Sequence, residues 1–279
     1  MQIREYSLSA GWYPRDPEEV KAFLSGFKAK NADAGTLPSA KAAIAPHAGW
    51  FYSGGIAARA VSCLQPDAET IVVIGGHLPA GSPALFAMED AVRTPFGLIN
   101  IDKDLRSILM TEENCCEDRY RDNTVEVLLP MVHYFFPKAN LLWLRLPADM
   151  RSFGTGKIIS GAAAKLKRKV NVLGSTDLTH YGQNYGFSPY GAGQKALNWV
   201  REVNDANFIK AVEAANPDEV LLCAERDNSS CSAGAVLGAL GFGEAEKLGK
   251  PSLLEYGTSA SADPDRIPDS FVGYFAAKL

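Results

Sequence analysis

Cysteine and histidine are scarce in this chain, with five cysteines and four histidines among 279 residues. The cysteines (Cys63, Cys115, Cys116, Cys223 and Cys231) are odd in number and include no Cys-x-x-Cys pair, which argues against a disulfide scaffold and a structural zinc site. Basic charge is not in excess: 28 Lys and Arg face 32 Asp and Glu, for a net charge of −4. The chain therefore has no basic surplus to neutralise a phosphate backbone, and nucleic acid is set aside as a partner. No apolar run approaches the ~18 residues that cross a bilayer. The start, Met1 to Tyr6, lacks the positive-then-apolar pattern of a signal peptide, so the expected location is the cytoplasm, without a membrane partner. Phosphate loops of the Gly-x-x-x-x-Gly-Lys type and the nucleophile pattern Gly-x-Ser-x-Gly are both missing.

What is present is an apolar fraction of 47%, enough for a substantial core. Short β-branched runs alternate with helical periodicity. Strands are expected over Lys41–Pro46, Thr70–Gly75, Ala84–Met88, Asn140–Leu146, Lys169–Ser175, Ser252–Tyr256 and Phe271–Phe275. A further pair is expected within Ala91–Ile101, around Pro95-Phe96-Gly97. Helices are expected over Gly55–Leu64, from an Asp102 cap to Met110, and over Asn123–Phe136, Ser152–Lys167 and Ala192–Ala214. Two more follow, Pro217–Glu225 behind an Asn216 cap and Ala233–Leu240. This order predicts one α/β domain over 1–279, with a central, mostly parallel or mixed sheet flanked by helices. The glycine- and aromatic-rich stretch from Gly182 to Gly193 is too apolar for a spacer and reads as a loop covering a site.

Three of the four histidines, His47, His77 and His180, follow apolar runs and are flanked by glycine. Ligands gather at strand ends in open α/β sheets. Gly75 and Gly76 before His77 offer backbone freedom. Asp177 precedes His180 by three positions, so its carboxylate can orient an imidazole, though the two also read as a capping pair. Cys231 precedes a helix, where a thiol is shifted toward thiolate, a soft ligand and nucleophile. Cys63 and Cys223 read as buried thiols, and Cys115-Cys116 as a loop. His133 reads as structural, and Glu126 as partly buried.

Together these motifs resemble the MEMO family, also called the AmmeMemoRadiSam system protein B family. The resemblance is carried by Ala10-Gly11-Trp12-Tyr13-Pro14, Pro46-His47-Ala48-Gly49-Trp50-Phe51-Tyr52-Ser53-Gly54 and Ile74-Gly75-Gly76-His77. It continues through Thr94-Pro95-Phe96-Gly97, Ser175-Thr176-Asp177-Leu178-Thr179-His180-Tyr181-Gly182, Tyr256-Gly257-Thr258-Ser259 and Ser270-Phe271-Val272-Gly273-Tyr274. It implies a fold similar to class III extradiol dioxygenases, which are non-haem iron enzymes. By motif, His47, His77 and Cys231 would be metal ligands for iron(II) or copper, with zinc also compatible. Asp177 and His180 would line the same vestibule as catalytic groups. Two departures stand out: Ser232 follows the cysteine where the family usually has glycine, and Asn123 replaces a family histidine ahead of the retained Glu126. Asparagine cannot shuttle a proton near neutral pH.

The leading expectation is a metal-binding redox protein with an oxygen-linked role. The alternatives are a dioxygenase acting on a small aromatic substrate and a non-catalytic module that binds a small molecule or peptide in the vestibule. Family association adds a radical-SAM protein and an AMMECR1-type protein as expected partners.

Overall fold

The computed structural model describes residues 1–30, 39–262 and 267–279. Along the chain the elements are β1 (Ile3–Arg4), α1 (Pro17–Lys30), β2 (Ala42–Ala45), α2 (Trp50–Ser62), β3 (Thr70–Leu78), β4 (Ala84–Phe86), β5 (Ala91–Thr94) and β6 (Gly97–Asn100). There follow α3 (Lys103–Glu112), β7 (Cys115–Glu117), α4 (Asn123–Glu126), α5 (Leu129–Phe135), β8 (Asn140–Pro147), α6 (Arg151–Leu166), β9 (Val170–Ser175) and β10 (His180–Gly182). The chain closes with α7 (Gln194–Trp199), α8 (Asp205–Glu213), α9 (Pro217–Asp227), α10 (Ala233–Ala245), β11 (Ser252–Thr258) and β12 (Ser270–Lys278).

Nine strands form a mixed sheet in the order β10-β12-β2-β9-β3-β8-β4-β7, with β11 paired to β12. Its centre, β2-β9-β3-β8, is parallel, while β12 and β4 join antiparallel on either side. A separate small sheet holds β1, β5 and β6. The central strands read as continuous apolar runs because both faces are covered. Ile71 and Val73 pack with Val20, Trp50 and Val132 on one face. Val72 and Ile74 pack with Leu109, Ile159 and Val236 on the other. Helix α10 is buried along nearly all its length, since it is apolar on every side. No described helix is long and apolar enough to cross a membrane.

Several elements differ from the sequence expectation. Asn123–Phe136 is two short helices rather than one, because Pro130 lacks the N–H that would continue the ladder. The amphipathic spacing survives the break, with Val125, Leu128, Leu129, Val132 and Phe136 all buried. Helix α2 begins at Trp50, so the expected glycine-rich turn is helical. Gly54 is there for packing, since a Cβ would stand 2.9 Å from the Phe23 ring and 3.0 Å from Trp50 Cβ. Residues 192–214 are helical from Gln194, with a π-helical turn at Val200–Asn204. Helix α1, whose Glu18 and Glu19 N–H groups donate to Asp16, carries too weak an apolar pattern to be found in the sequence. Cys115 and Cys116 lie in an edge strand rather than a loop. Asp102 and Asn216 cap their helices as expected.

Candidate metal centre at the strand ends

The carboxyl ends of β2, β3 and β9 lie side by side, and each delivers one part of the site. His47 follows β2 and is buried. Its N–H donates to Asp177 Oδ1 at 2.7 Å, and its Nδ1 lies 2.8 Å from Ser175 Oγ. Its Nε2 points at Cys231 Sγ, 3.2 Å away. His77 is the penultimate residue of β3, with its ring edge-on to His47 at 5.0 Å between centroids. The ligand atoms of His47, His77 and Cys231 all lie within 4.8 Å of one another.

The glycines before His77 do not act as the sequence reading expected. Neither Gly75 nor Gly76 is left-handed; His77 itself is, at φ 58°. The glycines instead permit close approach. A Cβ on Gly75 would stand 2.8 Å from Val125 of α4, and one on Gly76 would stand 2.8 Å from the Ser232 Cα. Both elements flanking His77 are thereby pressed onto the strand.

Cys231 is held by the loop after β9. Its N–H donates to the Asp177 carbonyl at 3.2 Å, and the Asp177 N–H donates back to Sγ at 3.3 Å. The neighbouring Ser232 N–H donates to Thr176 Oγ1 at 3.2 Å. Burial alone would push the Cys231 thiol up, but the His47 and His77 imidazoles overcome this and hold it well below its usual value. Burial likewise disfavours charge on the rings. Asp177 and Cys231 nevertheless raise His47, and Asp122 and Cys231 raise His77 to about 10. Burial raises Asp177, with the nearby thiolate adding to it and His47 and His180 opposing.

The structure separates Asp177 from the role expected for it beside His180. Its carboxylate engages the His47 main chain and lies 3.9 Å from His47 Nε2. The His180 ring is fixed instead by the Leu178 carbonyl, which accepts from Nδ1 at 3.0 Å. That bond places the proton on Nδ1 and leaves the Nε2 lone pair free. Tyr185, from the expected covering loop, packs edge-on to His180 at 4.9 Å. The segment between Asp177 and His180 is anchored from below, where the Thr179 N–H and hydroxyl donate to buried Asp205 Oδ1 and the Tyr256 hydroxyl donates to its Oδ2.

A cavity of about 910 Å³ stands over the cluster, and His47, His77, Asp177, His180 and Asn123 all line it. Trp12, Phe51, Tyr52, Tyr185 and Tyr274 form aromatic walls. The wall from Ser9 to Trp12 is tied to Glu126, which is 3% exposed and accepts from Ser7 N–H at 2.8 Å, Tyr13 Oη at 2.9 Å and Leu8 N–H at 3.2 Å. Asn123 does not supply an acid or base; its Nδ2 donates to the His47 carbonyl at 2.9 Å. His133 lies away from the cluster, its Nδ1 2.6 Å from Thr94 Oγ1. Cys63 and Cys223 are buried thiols.

Sequence reasoning missed Ser175, Asp122 and Arg145 as supports of the cluster. The available signal was Arg145, a single charge in the apolar run Leu141-Leu142-Trp143-Leu144-Arg145-Leu146, which requires a buried partner.

Fold and site together define an α/β protein with a cysteine–histidine cluster at the carboxyl ends of parallel strands. The chain belongs to the Memo-like protein family, whose model matches residues 4–278. It is 28% identical to a MEMO1 family protein of Pyrococcus horikoshii over 98% of each chain. It is 29% identical to one of Pyrococcus furiosus, over 98% of this chain and 97% of the relative. A solved structure of an uncharacterized protein from Escherichia coli K12 aligns at TM-score 0.47 and 13% identity, covering 84% of this chain and 98% of that one.

Proposed function

We propose that this chain is a metal-binding redox protein in which His47, His77 and Cys231 hold iron(II) or copper, with an oxygen-linked role toward a small aromatic molecule in the cavity. One observation carries this reading: three distant segments converge two imidazole nitrogens and one sulfur within 4.8 Å of each other. Nitrogen and sulfur donors bonded tetrahedrally to one ion at roughly 2.0–2.3 Å stand about 3.3–3.8 Å apart. Cys231 Sγ and His47 Nε2, 3.2 Å apart, are already near that spacing. Two imidazoles and a thiolate suit iron(II), copper and zinc, the thiolate favouring copper(I) and zinc over a site with a carboxylate in its place.

Iron or copper held there supplies a one-electron couple and open coordination positions. The protein supplies the rest. The aromatic walls orient a flat ligand. His180, its Nδ1 proton committed to Leu178, offers Nε2 as a base on the wall beside Tyr185. Asn123 locks the His47 main chain rather than moving a proton.

The test is oxygen consumption by the chain reconstituted without oxygen, with Fe(II), Cu(I) or Zn(II), in the presence of simple phenols and catechols. The redox reading expects uptake with iron or copper, none with zinc, and a loss of tenfold or more in His180→Gln. Bound metal without uptake under any of these conditions would instead favour a binding module.

A further inference from the structure

We propose that Asp122, held by Arg145, is the positioning residue that makes His77 the stronger of the two imidazole donors in the cluster; this rests on the metal-site reading above. His77 is the least enclosed of the three, with a third of its side chain exposed, and its backbone is left-handed. Packing alone therefore does not fix its ring. Asp122 Oδ2 does, accepting from His77 Nδ1 at 3.0 Å. An ionised carboxylate only accepts, so Nδ1 carries the proton and Nε2 keeps its lone pair for the cluster. His47 differs, because its Nδ1 meets a neutral hydroxyl, Ser175 Oγ. A carboxylate behind an imidazole raises its basicity as a ligand more than a hydroxyl does.

Asp122 cannot swing away. Its Oδ1 accepts from the Thr124 N–H at 2.9 Å and from the Thr124 hydroxyl. Arg145 Nη2 donates to Oδ2 at 3.1 Å, and Nε donates to the Gly76 carbonyl at 2.9 Å. One guanidinium thus fixes both the backbone before His77 and the carboxylate that holds its ring. Asp118 backs it from the far side, accepting from Arg145 Nη1 at 3.3 Å and from Trp143 Nε1 at 2.9 Å.

Co(II) titration of the full chain tests this, read by the thiolate-to-cobalt absorption and by competition with a chelator. Asp122→Asn is expected to weaken Co(II) binding by about 10–100-fold, the range for loss of such a support, while the Cys231 band persists at saturation. Asp122→Glu, which restores the charge, is expected to recover most of the affinity. If the asparagine chain does not fold, Asp122→Ser, which keeps a capping oxygen, replaces it. Affinity within twofold of the parent in Asp122→Asn, or a loss that Asp122→Glu does not repair, overturns the assignment. A parent chain that takes up no Co(II) overturns the metal reading itself, and this inference with it.

Discussion

Gly76 stands between two of the three ligand segments, so a single methyl group there tests whether the cluster needs its present spacing. A Cβ at Gly76 would meet Ser232 Cβ first of all and would lie 2.5 Å from Ser232 Oγ and 2.8 Å from Ser232 Cα, against 3.4 Å for ordinary contact. The Ser232 hydroxyl can turn away, but its Cβ and Cα are fixed by the backbone, so the strand end carrying His77 must part from the loop carrying Cys231 by at least about 0.6 Å, the 3.4 − 2.8 Å shortfall at Cα alone. Metal–ligand distances tolerate about 0.2 Å. Binding in Gly76→Ala must therefore close the gap against an overlap that costs about 1–3 kcal/mol, which is about a 5- to 150-fold loss of affinity. The assay is Co(II) or Fe(II) titration without oxygen, with thermal unfolding as a check that the chain still melts cooperatively. A folded Gly76→Ala chain with the parent's affinity would refute the spacing argument.

Burial pushes Asp205 up to about 7 despite its bonds from Thr179 and Tyr256. The folded chain then binds more protons than the unfolded chain between pH ~4 and 7, so stability falls as pH rises through that window and levels above it, by about 4 kcal/mol at most for three units. Asp205→Asn should remove that slope in denaturant titrations at pH 4.5, 6 and 8, and an unchanged slope would show that another group carries it. Glu126→Ala strips the acceptor from Ser7, Leu8 and Tyr13 and should cost about 1–3 kcal/mol, the penalty of buried donors left without a partner. Limited proteolysis should then cut between residues 7 and 15, and resistance equal to the parent's would contradict the anchoring role. Gly55 lies inside α2 with nothing within 4 Å of an added Cβ. Gly55→Ala should therefore raise stability by about 0.5–1 kcal/mol in chemical denaturation, and a loss would show that the position is not open.

The sequence made the central sheet legible because Thr70–Gly75 and its neighbours are short, apolar and β-branched, which double coverage demands. Helix ends at Asp102 and Asn216 were legible from their caps. Pro130 was in plain view, yet the apolar spacing across it masked the break between α4 and α5. The convergence of His47, His77 and Cys231 could be named only through resemblance, since residues 184 positions apart have no local signature. The partner of Asp177 was misjudged for the same reason: His180 is near in sequence, while His47 arrives from 130 residues away. The glycines before His77 were noticed for their freedom, whereas what they provide is room, which depends on α4 and the Ser232 loop.

Metal stoichiometry of the chain isolated without oxygen, beside His47→Ala and Cys231→Ser, tests the central claim most directly. The account predicts close to one iron or copper per parent chain after reconstitution, and little in either variant. A parent chain that holds no metal, or variants that hold as much as the parent, would contradict it.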